Sequence, residues 1–362
     1  MMSLSTINFP VLRGVQAGRE YYVAMWTFRM LSQISIFDGK ELPPEIRAQR
    51  IINRGRIPEL VGYILDNPDD FVFSALTASI DAEVVWEELS GGEGKLGLLK
   101  VPMEAMFIIN DGQHRRAAIL QALDANPALA YETIPVVFFL DQGLERSQQM
   151  FTDLNRHSIR PSRSISILYD HRDEKAKLAR AVIMKSKVYR DIVDMEKTSL
   201  ALRSRKLFTL SAFYVACADL IRGLETGDLE DDADFVRDFW ESVSRQFPDW
   251  INVRDGNTAS GELREGYIHA QGIALHSIAR AGNALLKKHP KNWKSRLRAL
   301  KKIDWSRKNS QLWEGRATIG GKVSKATTNV TLVVNLIKSE LGLPLSDAEQ
   351  KIEDAYSAGQ KK

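Results

Sequence analysis

Cysteine is nearly absent from this chain: 362 residues contain one, Cys217. A single thiol excludes an internal disulfide framework and any cysteine-based zinc site. Histidine is sparse as well. The six, at positions 114, 157, 171, 269, 276 and 289, form no recognised ligand spacing, so no metal is assigned. Long apolar runs are missing too. The longest strongly apolar one is Ile134–Leu140, far below the ~20 residues that span a membrane. The opening "MMSLSTINFPVLRG" lacks the basic-then-apolar layout of a secretion signal, and a cytoplasmic location is the expectation. There is no low-complexity tract and no internal repeat. What remains is ordinary globular composition, 44% hydrophobic and 27% charged, at a length that argues for two domains.

Cys217 lies in "KLFTLSAFYVACADLI", where Leu207, Leu210, Tyr214, Cys217 and Ile221 repeat at helical spacing. A thiol among apolar neighbours is core filler rather than a nucleophile. His269 and His276 are seven apart, two turns of one helix, and read as structural or surface residues.

The front of the chain reads as mixed α and β. "RIPELVGYILDN" puts Ile57, Leu60, Val61, Ile64 and Leu65 on one helical face. "DDFVFSALTASID" has the content of a strand, as do "KLGLLKVP", "MFIIN" and "IPVVFFLD", while "SGGEG" is a turn. "RRAAILQALDANP" reads as a helix ended by Pro127. A helix carrying Leu144, Ser147, Phe151 and Leu154 should stop near "NRHSIRP". From about Ser164 nearly every segment reads as helix, interrupted by acidic residues 225–235 and the loop at 253–262. The fold class is therefore α+β, with residues 1–165 mixed and residues 166–362 mainly helical, the boundary falling between 160 and 175.

"FIINDGQHRRAAIL", Phe107–Leu120, joins a short strand to a helix through a glycine turn. A helix start carries unpaired N–H groups and partial positive charge, so such a turn suits an anion. Asp111 is placed to cap the helix, and Gly112 permits a tight turn or close ligand approach. Arg115 and Arg116 fall in the first turn, where cations are electrostatically disfavoured, and a bound phosphate would offset that. Three readings stay open: a phosphate cradle, a catalytic site using His114, or a well-made turn whose arginines are solvated or paired with acids. The segment is no Walker loop, lacking its Gly-Lys-Ser ending.

The "DGQHR" at Asp111–Arg115 is the signature of the DGQHR-domain family, and its setting resembles the DndB-like members encoded beside bacterial DNA phosphorothioate modification enzymes. The likeness extends over most of the chain and includes the later "DLNRHSIRPS". This front part also resembles the ParB/sulfiredoxin superfamily, in which a strand–turn–helix with Gly and Arg holds nucleotide phosphates and an Asn/Arg box completes the site. The resemblance implies phosphate or nucleotide binding by Asp111, Gly112, Gln113, His114, Arg115 and Arg116, with Asn155 and Arg156 as the box. Sulfiredoxin's reactive cysteine has no counterpart, since position 113 is Gln, which excludes that thiol chemistry. It further implies a negative transcriptional regulator of a modification operon that binds promoter DNA, possible contacts with DNA modification proteins, and, for a palindromic operator, a homo-oligomer. An enzyme that hydrolyses nucleoside triphosphate at the turn is the alternative, with Asp111 and Asp153 the acids available to assist. An accessory scaffold is the third reading. Nucleotide is the one cofactor suggested.

Charge distribution supports double-stranded DNA as partner. Net charge is only +4, yet residues 280–325 hold 14 Lys or Arg against Asp304 and Glu314. In "KKHPKNWKSRLRALKKIDWSRKN", Trp293, Leu297 and Leu300 mark a buried stripe of a helix, and Lys294, Arg296, Arg298, Lys301 and Lys302 occupy its other faces. "GRATIGGKVSKATTN" adds Arg316, Lys322 and Lys325 in a backbone-rich loop suited to phosphates. A solvated face is the bland reading, and a membrane-surface helix is disfavoured by the narrow stripe. A second cluster, Arg156, Arg160, Arg163 and Arg172, fits either the turn or a DNA surface.

Overall fold

Two strands that the patterning left unassigned open the chain. Thr6–Gln16 (β1) and Arg19–Thr27 (β2) pair antiparallel across Ala17-Gly18, both with positive φ, at 52° and 73°. Such a two-residue turn matches the right-handed twist of the flanking strands. The computed structural model describes residues 5–33, 54–91, 93–140, 149–150, 152–154, 161–224 and 227–360. By its internal contacts the chain divides into two units, residues 1–159 and 160–362. The protein is α+β.

In the first unit β2 runs into a short helix, Phe28–Gln33 (α1), and Ile57–Asp66 (α2) follows a single 3-10 turn at Arg54–Arg56. Leu76–Asp81 (β3), Val85–Glu88 (β4), Leu96–Pro102 (β5), Met106–Asp111 (β6), Gln113–Ala125 (α3) and Thr133–Phe139 (β7) complete it. The seven strands lie in the order β4-β5-β1-β2-β7-β3-β6, antiparallel except for β3 beside β7. The strand expected over "DDFVFSALTASID" begins only at Leu76; the five residues before it are irregular. Alternation sets the core side. Phe9, Trp26, Phe107 and Phe138 all point inward, and the Trp26 ring meets Phe138 at 5.1 Å and Phe107 at 5.3 Å. Helices α1, α2 and α3 cover that face, with Leu31, Ile57, Ile64, Ala118, Ile119 and Ala122 buried against it. Each large side chain so buried contributes about 1.5–3 kcal/mol.

The second unit is helical. Its elements are Arg163–Tyr169 (α4), Glu174–Lys185 (α5), Tyr189–Ile192 (α6), the two-residue strands Val193–Asp194 (β8) and Phe208–Thr209 (β9), Leu210–Ile221 (α7), Leu229–Ser244 (α8), Pro248–Arg254 (α9) and Ser260–Gly266 (α10). Gly272–Lys288 (α11), Trp293–Arg296 (α12), Ser310–Trp313 (α13), the strands Thr318–Ile319 (β10) and Lys322–Val323 (β11), Thr327–Glu340 (α14) and Asp347–Gln360 (α15) follow. Cys217 is fully buried in this core beside Trp240, and burial pushes its thiol pKa up, so it is inert. The acidic residues read as an interruption instead start a helix. Asp228 caps α8 by accepting from the N–H groups of Glu230 and Asp231, and Glu230, Asp231 and Asp232 sit in the first turn, where the helix dipole favours them.

His269 is not on a helix shared with His276. It lies in the 3-10 turn Ile268–Ala270 ahead of α11, buried, with Trp250 Nε1 donating to its Nδ1 at 3.0 Å and Phe247 stacked at 4.9 Å. Burial lowers its pKa from 6.5 to about 4 despite Asp249 at 3.6 Å, so at neutral pH that contact is between a carboxylate and a neutral ring. His276 is likewise lowered to about 4, first by burial and then by Lys325. Because the folded value lies below the unfolded one, acidification loads protons onto the unfolded chain first. Stability is therefore retained above about pH 6.5 and lost as pH falls towards 4, by up to about 3 kcal/mol for His269. Carboxylates also titrate in that window, so the comparison is with His269→Gln, which keeps an acceptor for Trp250 and cannot titrate. Urea unfolding between pH 6.5 and 4.5 is expected to shift more for the wild type than for this variant; equal shifts would remove His269 as a cause.

Candidate functional site

Strand β6 delivers Asn110 and Asp111 to its C-terminal end, and Gly112 turns the chain into α3 with φ of 97°. The expected Asp111 cap is not made: α3 has no side-chain cap. Asp111 instead accepts from Arg115 Nη2 at 2.6 Å, one helical turn on. The other arm of that guanidinium, Nη1, donates to the carbonyls of Ser74 at 2.6 Å and Ala75 at 2.9 Å and to the Ser74 hydroxyl. Arg115 thus fastens the start of α3 to the residues leading into β3. The unfavourable position of a cation in a first turn is offset by Asp111 and these main-chain oxygens. Gln113 folds back, Nε2 to the Ile109 carbonyl at 3.0 Å.

The helix start itself, His114 and Arg116 make up the rest of the turn. Desolvation lowers the His114 pKa, and the Arg56 cation lowers it further, which favours the neutral ring, able to donate one hydrogen bond and accept another. Three contributors went unnoticed in the sequence. Arg56 comes from the 3-10 turn before α2, and Ser74 from the irregular lead-in to β3. Asn110, 1% exposed, gives Nδ2 to the Ser79 hydroxyl at 2.7 Å and to Met150 Sδ at 3.2 Å. The one signal for it was an amide at the end of an otherwise apolar strand. Asp153 lies beside Gln149, whose Nε2 donates to it at 2.7 Å. Asn155, Arg156 and Arg160 lie outside the described residues. No group of three or more His, Cys, Asp or Glu placed to hold a metal occurs among the described residues.

The basic segment is not one amphipathic helix. Helix α11 ends at Lys288, α12 is a single turn, and Leu297–Lys302 winds as 3-10. Three residues per turn put Leu297, Leu300 and Ile303 in one buried line, and Arg298 and Lys301 on one exposed edge with Lys302 next to them. Trp305 pins the segment, its Nε1 donating to the Leu300 carbonyl at 2.9 Å while its ring stacks on Trp313 at 5.5 Å. The eight cations read as DNA contacts part company here. Arg298, Lys301, Lys302 and Lys322 are exposed with no side-chain partner among the described residues. Lys294 is tied to Asp238 at 2.5 Å. Arg296 is half-buried, reaching the Leu341 carbonyl at 3.4 Å.

Arg316 is turned away from solvent, 6% exposed. It pairs with Glu353 at 2.5 and 3.2 Å, donates to the Leu332 carbonyl at 2.6 Å and stacks over Tyr356 at 4.4 Å. It is a structural brace, not a phosphate contact. The expectation of free backbone donors in its loop fails too. Gly320 and Gly321 form the tight turn between β10 and β11 with φ of 57° and 74°, and the Glu314 carboxylate accepts both of their N–H groups. Those bonds, after the one from Thr318, hold the Glu314 carboxyl below its ordinary range.

The sequence pattern of the DndB family, described as DNA-sulfur modification-associated, matches residues 9–344. The chain belongs to the DndB family. No curated protein and no solved structure matches it. Membership spans both units, so the DGQHR turn and the basic segment alike lie within what DndB-family chains share in sequence pattern. No described helix is long and apolar enough to cross a membrane.

Proposed function

We propose that this DndB-family protein is a DNA-binding negative regulator of the phosphorothioate modification operon with which its family is associated. The observation that carries the reading is the 3-10 segment Leu297–Lys302. It anchors by Leu297 and Leu300 and presents Arg298, Lys301 and Lys302 to solvent with no ion-pair partner among the described residues. Exposed cations on a rigidly packed turn suit phosphates of a duplex, where counterion release drives binding. Lys322 adds a fourth such cation. In the same reading the ParB-like DGQHR turn holds a phosphate through the α3 start, His114 and Arg116, while Arg115 shapes the turn. Arg115's engagement with Ser74, Ala75 and Asp111 makes nucleotide hydrolysis the weaker alternative. It leaves no free guanidinium at that position for the charge that builds up in phosphoryl transfer.

Binding to the DNA upstream of the operon, against random duplex of equal length, is expected to be tighter and to weaken steeply with salt. Four phosphate contacts give a slope of about −3.6 in log affinity per log salt, and a Lys301→Ala/Lys302→Ala variant should bring it to about −1.8. Equal, weak binding to both duplexes would sink the regulator reading.

A further inference from the structure

The second unit holds a cavity of about 430 Å³ whose wall carries Lys325, Arg307, Arg264, Thr198 and Ser199. Lys325 as a whole residue is exposed, but its ammonium is turned in. Nζ lies 2.8 Å from where a Cβ on Gly272 would stand, and burial lowers its pKa. Among the described residues it makes no ion pair and no hydrogen bond. Arg264 donates only to the main-chain oxygens of Leu200, Ala201, Leu202 and Ser260, and Arg307 only to those of Gly321 and Arg264. One exposed carboxylate, Glu265, shares the wall. Three cations thus face one acid. Burial lowers the pKa of both Arg264 and Lys325, but Arg264 is held by main-chain oxygens, whereas Lys325 has no counterion among the described residues. Leaving a charge in that state is costly unless something of opposite sign occupies the space.

We infer that this cavity binds the phosphate group of a small phosphorylated molecule, with Lys325 as its principal contact. The volume falls within the range of small-ligand pockets. A phosphate would take the ammonium directly, with the Thr198 and Ser199 hydroxyls as further donors, while Arg264 and Arg307 supply fixed positive field without leaving their main-chain bonds. The start of α11 adds its dipole, but the cation cluster defines the site. This separates Lys325 from the DNA-facing cations and gives the second unit a site distinct from the DGQHR turn.

The test is calorimetric titration of the full chain with inorganic phosphate and with adenosine monophosphate. Saturable binding is expected, weakened at least tenfold in Lys325→Met. Gly272→Ala is the second variant: it places a methyl 2.8 Å from the ammonium, which must shift, and should weaken binding similarly, while alanine in place of glycine favours the helix, so the fold is kept. No saturable binding, or unchanged affinity in both variants, would overturn the inference. So would displacement of phosphate by one equivalent of short duplex DNA, which would assign the pocket to a backbone phosphate. The phosphate and nucleotide titrations themselves contain no DNA, so their outcome is independent of whether the protein reads an operator; duplex enters only in the separate displacement step.

Discussion

Arg316→Ala is expected to destabilise the second unit by about 3 kcal/mol, because it leaves the Glu353 carboxylate, 21% exposed, without its cation. For a unit of this size that corresponds to a fall in melting temperature of roughly 6–12 °C. Asn335 Nδ2, 3.1 Å from Glu353, keeps one bond to the stranded carboxylate and holds the loss at this level rather than above it. Removing both charges, as Arg316→Met with Glu353→Met, should recover most of the stability, since two apolar side chains of similar volume replace the pair. DNA affinity measured well below the transition should be unchanged. The opposite pattern, lost DNA affinity with an unchanged melting temperature, would return Arg316 to the proposed DNA surface. The contrast with Lys301 and Lys302 is direct: those exposed cations should alter the salt slope and leave melting alone.

Gly112→Ala should cost the first unit about 3 kcal/mol. Its φ of 97° is strained for any residue with a side chain, and the added Cβ would stand 2.3 Å from Leu76 Cδ2. Leu76 is buried at the start of β3, so it cannot swing aside without opening the core. The nearest Arg115 atom would be 3.2 Å away, so the brace to Ser74 and Ala75 shifts as well. The fit control is Gly62→Ala in α2, where the new Cβ meets only Asp66 Oδ2 at 3.6 Å and the substitution should be neutral to slightly stabilising. Urea unfolding followed by fluorescence compares the two; equal midpoints would mean that the turn relaxes without strain. Close approach of a ligand to the backbone is thus not needed to explain this glycine, since packing against Leu76 already requires it.

Where periodicity was strong, the sequence was readable. The stripe Ile57–Leu65, the alternation in "KLGLLKVP" and "IPVVFFLD", and the strand–turn–helix at Phe107–Leu120 all stand where their patterns put them. The N-terminal hairpin was missed because its turn is Ala17-Gly18 rather than the Asn-Gly or Asp-Gly that marks such turns. The acidic run that caps and opens α8 reads as loop because charge looks like loop unless the dipole of the helix is considered. At the turn, residue types were legible but their partners were not. Asp111 has equal local chemistry for capping and for pairing with Arg115, and the choice was made by Ser74 and Ala75, some forty positions away. The same holds for Arg316: nothing near it in sequence announces Glu353. Long-range pairing decides which cations are spent internally, and local pattern carries no record of it.

The central place of the N-terminal hairpin governs how the first unit can be made. Strand β1 is zipped to β5, Thr6 opposite Pro102, and β2 to β7, Thr27 opposite Thr133, so the hairpin, once synthesised, waits for strands made much later in the chain before either flank is filled. Until then the hairpin has two open edges and an aromatic face with nothing to cover it. High contact order of this kind slows folding and lengthens the time that pairing-competent edges are exposed, which makes the newborn first unit a stage at which this protein depends on protection from aggregation.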